Sequence, residues 1–163
     1  MAETDAARVQ KLRSDIDAMR YLDRPKTQTI EQAIQKLRRL QQEMANEESF
    51  GWKICLKGTR ELIGTIGLHR MRKESFRTEI GYMLMPEYWR QGLMMEALEA
   101  AISFAFTEMG FHTIEADINP ENDASRKLLL RLGFQKEAYL RENFFFEGRF
   151  LDSEIYGLIN PHH

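Results

Sequence analysis

The chain has a single cysteine, Cys55, among its 163 residues. An internal disulfide is therefore excluded, and a reducing compartment is the expected setting. Cys55 sits in Trp52-Lys-Ile-Cys-Leu56, which alternates like a strand, so a buried structural thiol is expected. A large charge of either sign is also lacking. The net charge of −2 gives no general pull toward nucleic acid or an anionic membrane, and neither is expected as a partner. No apolar run approaches the ~20 residues of a membrane span. The opening Met1-Ala-Glu-Thr-Asp5 is polar and acidic and does not read as a secretory signal, so a cytoplasmic location is expected. Repeats, linkers and low-complexity tracts are absent. What remains is an ordinary globular composition, 43% hydrophobic and 29% charged. The length fits one domain over residues 1–163, long enough to bury a core. His162-His163 reads as the remnant of a purification tag and is given no function.

Periodicity predicts a helix over 4–20, with Val9, Leu12, Ile16 and Met19 on one face. Asp23-Arg24-Pro25 breaks it. A second helix opens at Thr29, with Ile30, Ile34, Leu37, Leu40 and Met44 as its stripe. Strands are predicted over 50–56, 62–68 and 79–85, the first two joined by a turn at Lys57-Gly58-Thr59. A long helix over 92–109 closes at Gly110. A strand over 113–118, a helix over 123–132 and a strand pair over 134–144 and 151–159 complete the order α α β β β α β α β β. Strand–helix–strand alternation in the middle calls for a right-handed parallel crossover, and the hairpins at both ends for antiparallel pairs. The expected fold class is α/β, a twisted mixed sheet with helices on both faces.

Two segments carry the chemistry. Tyr88-Trp-Arg-Gln-Gly-Leu-Met-Met-Glu-Ala97 puts one glycine in a basic loop that opens the long helix. A helix N-terminus offers unpaired N–H groups and a positive dipole end, so Arg90, Gln91, Gly92, Leu93, Met94 and Met95 form a candidate phosphate loop. Gly92, lacking Cβ, lets backbone approach a ligand closely. Neither a Walker A loop nor a G-x-G-x-x-G string occurs. The second segment is Asn122-Asp-Ala-Ser-Arg-Lys-Leu-Leu-Leu-Arg-Leu-Gly-Phe134, a basic leucine-rich helix after the turn Asn119-Pro120-Glu121.

Together these segments resemble the GNAT superfamily of acetyl-CoA-dependent N-acetyltransferases, most closely its Rim-type, ribosomal-protein N-acetyltransferase branch. The resemblance runs from about Leu12 to Ile159. It includes Arg13-Ser-Asp15, Met19-Arg-Tyr-Leu22, Leu62-Ile-Gly-Thr-Ile-Gly-Leu68 and the final strand from Asp152 to Tyr156. It implies a GNAT-like fold with a splayed parallel strand pair, and acetyl-CoA as co-substrate without a metal. It implies an acceptor that is a protein N-terminal or small-molecule amine, attacked directly in a ternary complex. In the phosphate loop Trp89 stands first, as in Rim-type members, and Gly92 fourth. Met94 replaces the small residue usual at the last position, which would crowd the loop. The pantetheine arm would pair with backbone of Met83, Leu84 and Met85 and with the Asn122 side chain. Arg126, Lys127 and Arg131 would lie near the phosphates.

The reaction needs a base to take a proton from the amine and an acid to give one to the departing thiolate. Glu79, opening the strand Glu79-Ile-Gly-Tyr82, is the expected base, with Glu115 as the alternative. The tyrosine many GNAT enzymes use as the acid is replaced by Leu129. The serine that Rim-type enzymes offer instead is present as Ser125, a candidate both for catalysis and for orienting CoA. The usual opening strand, with its Arg–Pro pair, has no counterpart here. Its loss would expose a sheet edge and invite a partner, including a second copy of the chain. The competing readings are a non-catalytic acyl-CoA-binding module and a structural α/β domain. The acceptor pocket is expected between the loop 22–29 and the hairpin 144–150, with Phe144, Phe145 and Phe146 as candidate lining.

Overall fold

A computed structural model describes residues 1–161, so His162-His163 lies outside the described residues. The predicted first helix divides in two, α1 (Ala6–Ser14) and α2 (Ile16–Met19). Asp15 between them is extended, and its carboxylate accepts the N–H groups of Asp17 and Ala18. A strong N-cap residue has overridden the apolar periodicity, and Ile16 is left exposed. Helix α3 (Ile30–Ala45) starts on Thr29, whose hydroxyl accepts from Gln32 N–H in a capping box. It buries Ala33 and Leu37 against Val9 and Leu12 of α1, while Ile30 of the predicted stripe faces solvent.

The strands are β1 (Phe50–Ile54), β2 (Gly64–Arg72), β3 (Arg77–Leu84), β4 (Thr113–Ile118), β5 (Gln135–Phe146) and β6 (Arg149–Ile159). They form one mixed sheet in the order β1-β2-β3-β4-β6-β5. Helix α4 (Leu93–Thr107) carries the chain from β3 to its parallel neighbour β4. Helix α5 (Asp123–Arg131) connects β4 to the closing hairpin.

Side-chain alternation gives the sheet two different faces. Ile80 of β3 with Ile114, Ala116 and Ile118 of β4 packs on Leu98, Ala101 and Ala105 of α4 and Leu129 of α5. Met83 and Met85 turn to the other face and pack with α1 and α3. Glu79 and Gly81 share that second face, which is where the site lies.

Cys55 departs from expectation. Strand β1 stops at Ile54, and Cys55 is a half-buried free thiol in the loop beyond it. The return strand also starts later than predicted, at Gly64, although Ile63 before it still donates its N–H to Ile54 O at 2.9 Å. No strand precedes α1 among the described residues, and β1 pairs with β2 alone. No helix among them is long and apolar enough to cross a membrane.

Candidate functional site

Strands β3 and β4 pair at three positions only, Arg77↔Thr113, Thr78↔Ile114 and Glu79↔Glu115. Beyond Glu79 they part, because each follows its own antiparallel partner, β2 for β3 and β6 for β4. Met85 donates its N–H to Ile63 O at 2.9 Å. The Met83 carbonyl also faces β2, so close that a Cβ on Gly64 would lie 2.5 Å from it. By alternation, Tyr82 and Leu84 turn their main-chain groups into the gap. The Leu84 carbonyl already accepts from Trp89 Nε1 at 2.8 Å. Of Met83, Leu84 and Met85, it is therefore Leu84 that stands on the open edge, through its N–H, with Tyr82 beside it.

On the α1/α3 face a cleft of about 640 Å3 lies over β3. Leu22, Asp23 and Arg24 from the loop after α2 form one wall, and Phe144 and Asp152 of the β5–β6 hairpin another. Phe145 points elsewhere, its ring 5.0 Å from that of Phe150, and Phe146 stacks on Phe144.

Glu79 lines this cleft with Asp117, which sequence reasoning missed. Asp117 stands two residues beyond Glu115 on β4, so its side chain points to the same face. The Glu79 carboxylate is 17% exposed and accepts from Arg70 Nη1 at 2.8 Å. Burial raises its pKa above the usual value, and Arg70 opposes the rise. Burial by the cleft walls likewise raises the pKa of Asp117, opposed by a hydrogen bond with Ser153. Glu115 is placed differently. It pairs with Arg77, and with Arg72 at 3.5 Å, away from the cleft lining.

Ser125 is buried in the first turn of α5, where its N–H donates to the Asn122 side chain at 3.1 Å. Its hydroxyl is hydrogen-bonded to the hydroxyl of Tyr82. Burial pushes the Tyr82 pKa up to about 12, against the lowering effect of the Ser125 hydrogen bond, so the phenol stays protonated. The sequence offered a weak signal for this pair. Tyr82 lies three residues beyond Glu79 on β3, and alternation turns it toward α5. Leu129, where the GNAT resemblance leads one to look for a tyrosine, is fully buried core.

Gly92 is the N-cap of α4 with φ 79°, a left-handed conformation that favours glycine. A Cβ there would meet nothing within 4 Å, so the space in front of the helix end is open. The first helical bond runs from Glu96 N–H to Gly92 O, leaving the N–H groups of Leu93, Met94 and Met95 ahead of it. Met94 does not crowd the loop, since its side chain packs against the core. Arg90 and Gln91 are exposed beside it. The cradle thus suits the pyrophosphate of a CoA ester.

Asn122 is the N-cap of α5, so its Oδ1 is already used. Its Nδ2 is left to donate. Arg126 and Lys127 are paired within the protein, Arg126 with Glu154 at 3.1 Å and Lys127 with Asp123 at 2.6 Å. Asn122→Asp separates the two roles of this side chain. The cap survives, so the melting temperature is expected to hold. The donor is lost, so CoA affinity is expected to fall by about 1 kcal/mol, the net value of one hydrogen bond. Unchanged affinity by titration calorimetry would remove Asn122 from the CoA site.

The family model described as Acetyltransferase (GNAT) domain matches residues 1–135. The uncharacterized N-acetyltransferase YoaA of Bacillus subtilis (strain 168) is 34% identical over 161 residues, covering 99% of this chain and 91% of YoaA. The crystal structure of ribosomal-protein-S5-alanine acetyltransferase from Vibrio fischeri superposes with a TM-score of 0.83 at 25% identity, over 99% of this chain and 91% of that one. Mycobacterium smegmatis RimJ in complex with CoA-disulfide has the same fold, with a TM-score of 0.87 at 22% identity, over 99% of this chain and 80% of that one.

Proposed function

This chain belongs to the GNAT acetyltransferases and is an acetyl-CoA-dependent N-acetyltransferase, and from that premise we propose how its residues divide the work. The observation that carries the reading is the opening between β3 and β4. A carboxylate-lined cleft occupies one face of β3, and the α4 N-terminus with the Tyr82–Ser125 pair lies toward the other. Acetyl-CoA supplies the activated acyl group. Its phosphates fit the N–H groups of Leu93, Met94 and Met95, with Arg90 and Gln91 flanking them. The pantetheine arm enters the gap and pairs with the Leu84 N–H and Asn122 Nδ2.

Glu79 takes the proton from the acceptor amine, either directly or through one water. Its raised pKa makes it a stronger base than an exposed carboxylate, while the Arg70 ion pair opposes the rise. Ser125 donates to the departing sulfur, and Tyr82 holds its hydroxyl in place. The buried Leu129 would favour a non-catalytic CoA-binding module if no other hydroxyl faced the gap, and the Tyr82–Ser125 pair supplies two. We further propose that the chain acts as a single domain in the cytoplasm, where acetyl-CoA and amines meet. The amine belongs to a protein N-terminus or a small molecule; the Vibrio fischeri neighbour is named for acetylation of alanine on ribosomal protein S5.

The direct test is thiol release from acetyl-CoA across a panel of small amines and peptides with N-terminal alanine. Release that depends on the amine is expected. CoA binding without release on any member would leave only a binding module.

The hydroxyl pair makes a separate prediction. Ser125→Ala leaves the buried Tyr82 hydroxyl without its partner and should cost about 1–3 kcal/mol of stability. Adding Tyr82→Phe should recover most of that. Turnover of Ser125→Ala should fall most at high pH, where bulk solvent protonates thiolate slowest. A pH–rate profile parallel to wild type would show that Ser125 moves no proton.

A further inference from the structure

The cleft contains three cations that make no direct salt bridge among the described residues: Arg13 of α1, Arg24 of the following loop and Lys36 of α3. The other two cleft arginines do, Arg39 with Glu43 at 2.7 Å and Arg70 with Glu79 at 2.8 Å. Arg13 is the most constrained of the three. Its Nε is buried with no hydrogen-bond partner, and its Nη1 reaches only Met83 Sδ at 3.4 Å. Buried guanidinium groups are ordinarily paired, because desolvation without a partner is costly.

The cluster also repels itself. Burial and then Arg24 lower the pKa of Arg13, while burial, Arg13, Arg39 and Arg24 lower that of Lys36. His69 faces the same cations and is held neutral by burial and Arg24. Two of the nearby carboxylates are engaged elsewhere. Asp23 accepts from Asn119 Nδ2 at 2.8 Å, and Asp152 holds Tyr139 and the Glu142 N–H. Three cations from separate segments meet at one wall, Arg24 and Lys36 exposed and Arg13 half-buried, an arrangement that suits an anion.

Glu79 and Asp117, suited to an amine, line the same cleft, with Arg24 near enough to oppose the rise in both their pKa values. Met83, which touches Arg13, lies four residues beyond Glu79 on β3, about 13 Å at the rise of an extended strand. We infer that the acceptor is an amine that also carries an anionic oxygen group, a carboxylate or a phosphate, seated against Arg13, Arg24 and Lys36. This rests on the reading of the cleft as the acceptor site. It excludes polyamines as preferred substrates, since a second cation would meet the arginine wall.

Thiol release should be measured on matched pairs: the dipeptide amide Ala-Glu-NH2 against Ala-Gln-NH2, 4-aminobutyrate against its amide, and O-phosphoethanolamine against ethanolamine, with spermidine as the cationic control. The charged member of at least one pair is expected to have a kcat/KM at least tenfold higher, mainly through KM. Whether carboxylate or phosphate wins identifies the anion. Arg13→Met should reduce the charged-to-neutral ratio at least tenfold. Lys36→Gln and Arg24→Gln, both exposed and safe for folding, should reduce it in the same direction. Equal rates within every pair, a preference for spermidine, or variants that leave the ratio unchanged would overturn the inference. Release with neutral amines alone rejects the anion site and leaves the acetyltransferase reading standing. Release with no amine rejects both.

Discussion

Gly92→Asp is expected to lower the affinity for CoA at least ~100-fold, about 2.7 kcal/mol, while the protein remains folded. The backbone at Gly92 is left-handed with φ 79°, a region that Asp tolerates better than most residues. The new Cβ would meet no atom within 4 Å, so no packing is disturbed. The left-handed backbone strains any side chain by about 1–2 kcal/mol, a cost the fold should survive. The damage is electrostatic. A carboxylate would stand in front of the N–H groups of Leu93, Met94 and Met95, where ligand phosphates should sit, and would satisfy those donors itself. Titration calorimetry with CoA on a protein shown folded by circular dichroism decides the matter. Wild-type affinity in such a protein would sink the phosphate-loop assignment.

Glu79→Gln should produce the largest kinetic effect, a loss in kcat/KM on the order of 10²–10⁴ below the pKa of the acceptor amine. Glutamine keeps the shape and can still hydrogen-bond, but it cannot take a proton. Activity should recover as pH rises and solvent delivers the neutral amine. The same variant carries a stability signature of fixed sign. The folded-state pKa of Glu79 is raised, so the fold favours its protonated form. The stability it contributes is complete below the unfolded-state pKa and is lost as pH rises through the folded-state value. Above its folded-state pKa the ionised carboxylate therefore weakens the fold, and there Glu79→Gln should melt higher than wild type. Near pH 4 the two proteins should converge. A variant that melts lower at pH 7 would mean that the Arg70 ion pair outweighs burial, and one with a pH–rate profile parallel to wild type would rule Glu79 out as the base.

Much of this site could be read along the chain, because its parts are local. The strand Glu79–Leu84, the basic turn and the helix after Gly92 follow one another directly, and each announces itself through periodicity or a glycine. The helix from Asn122 to Gly133 does the same, and the short-range bond from Ser125 N–H to Asn122 fits its place at the helix start. Local signals misled where two competed. Asp15 broke a helix that apolar spacing carried through, since a capping carboxylate satisfies two N–H groups at once. Cys55 fell just past the end of its strand, where alternation no longer reports burial.

By itself, the sequence determined the order of elements, the parallel crossover at the centre and the two helix N-termini that frame the gap, all consequences of neighbours within a few residues. Only the tertiary structure decided which side chains meet. Tyr82 reaches Ser125 because α5 packs over the face to which β3 turns that ring. Glu79 and Asp117 share a cleft, and Glu115 is drawn to Arg77, because three paired positions set the register of β3 against β4 before the strands part. Arg13, Arg24 and Lys36 converge because α1 and α3 cross the same face of the sheet. Charge and burial at these positions arise from residues distant in sequence, and no local pattern encodes a distance across a cleft.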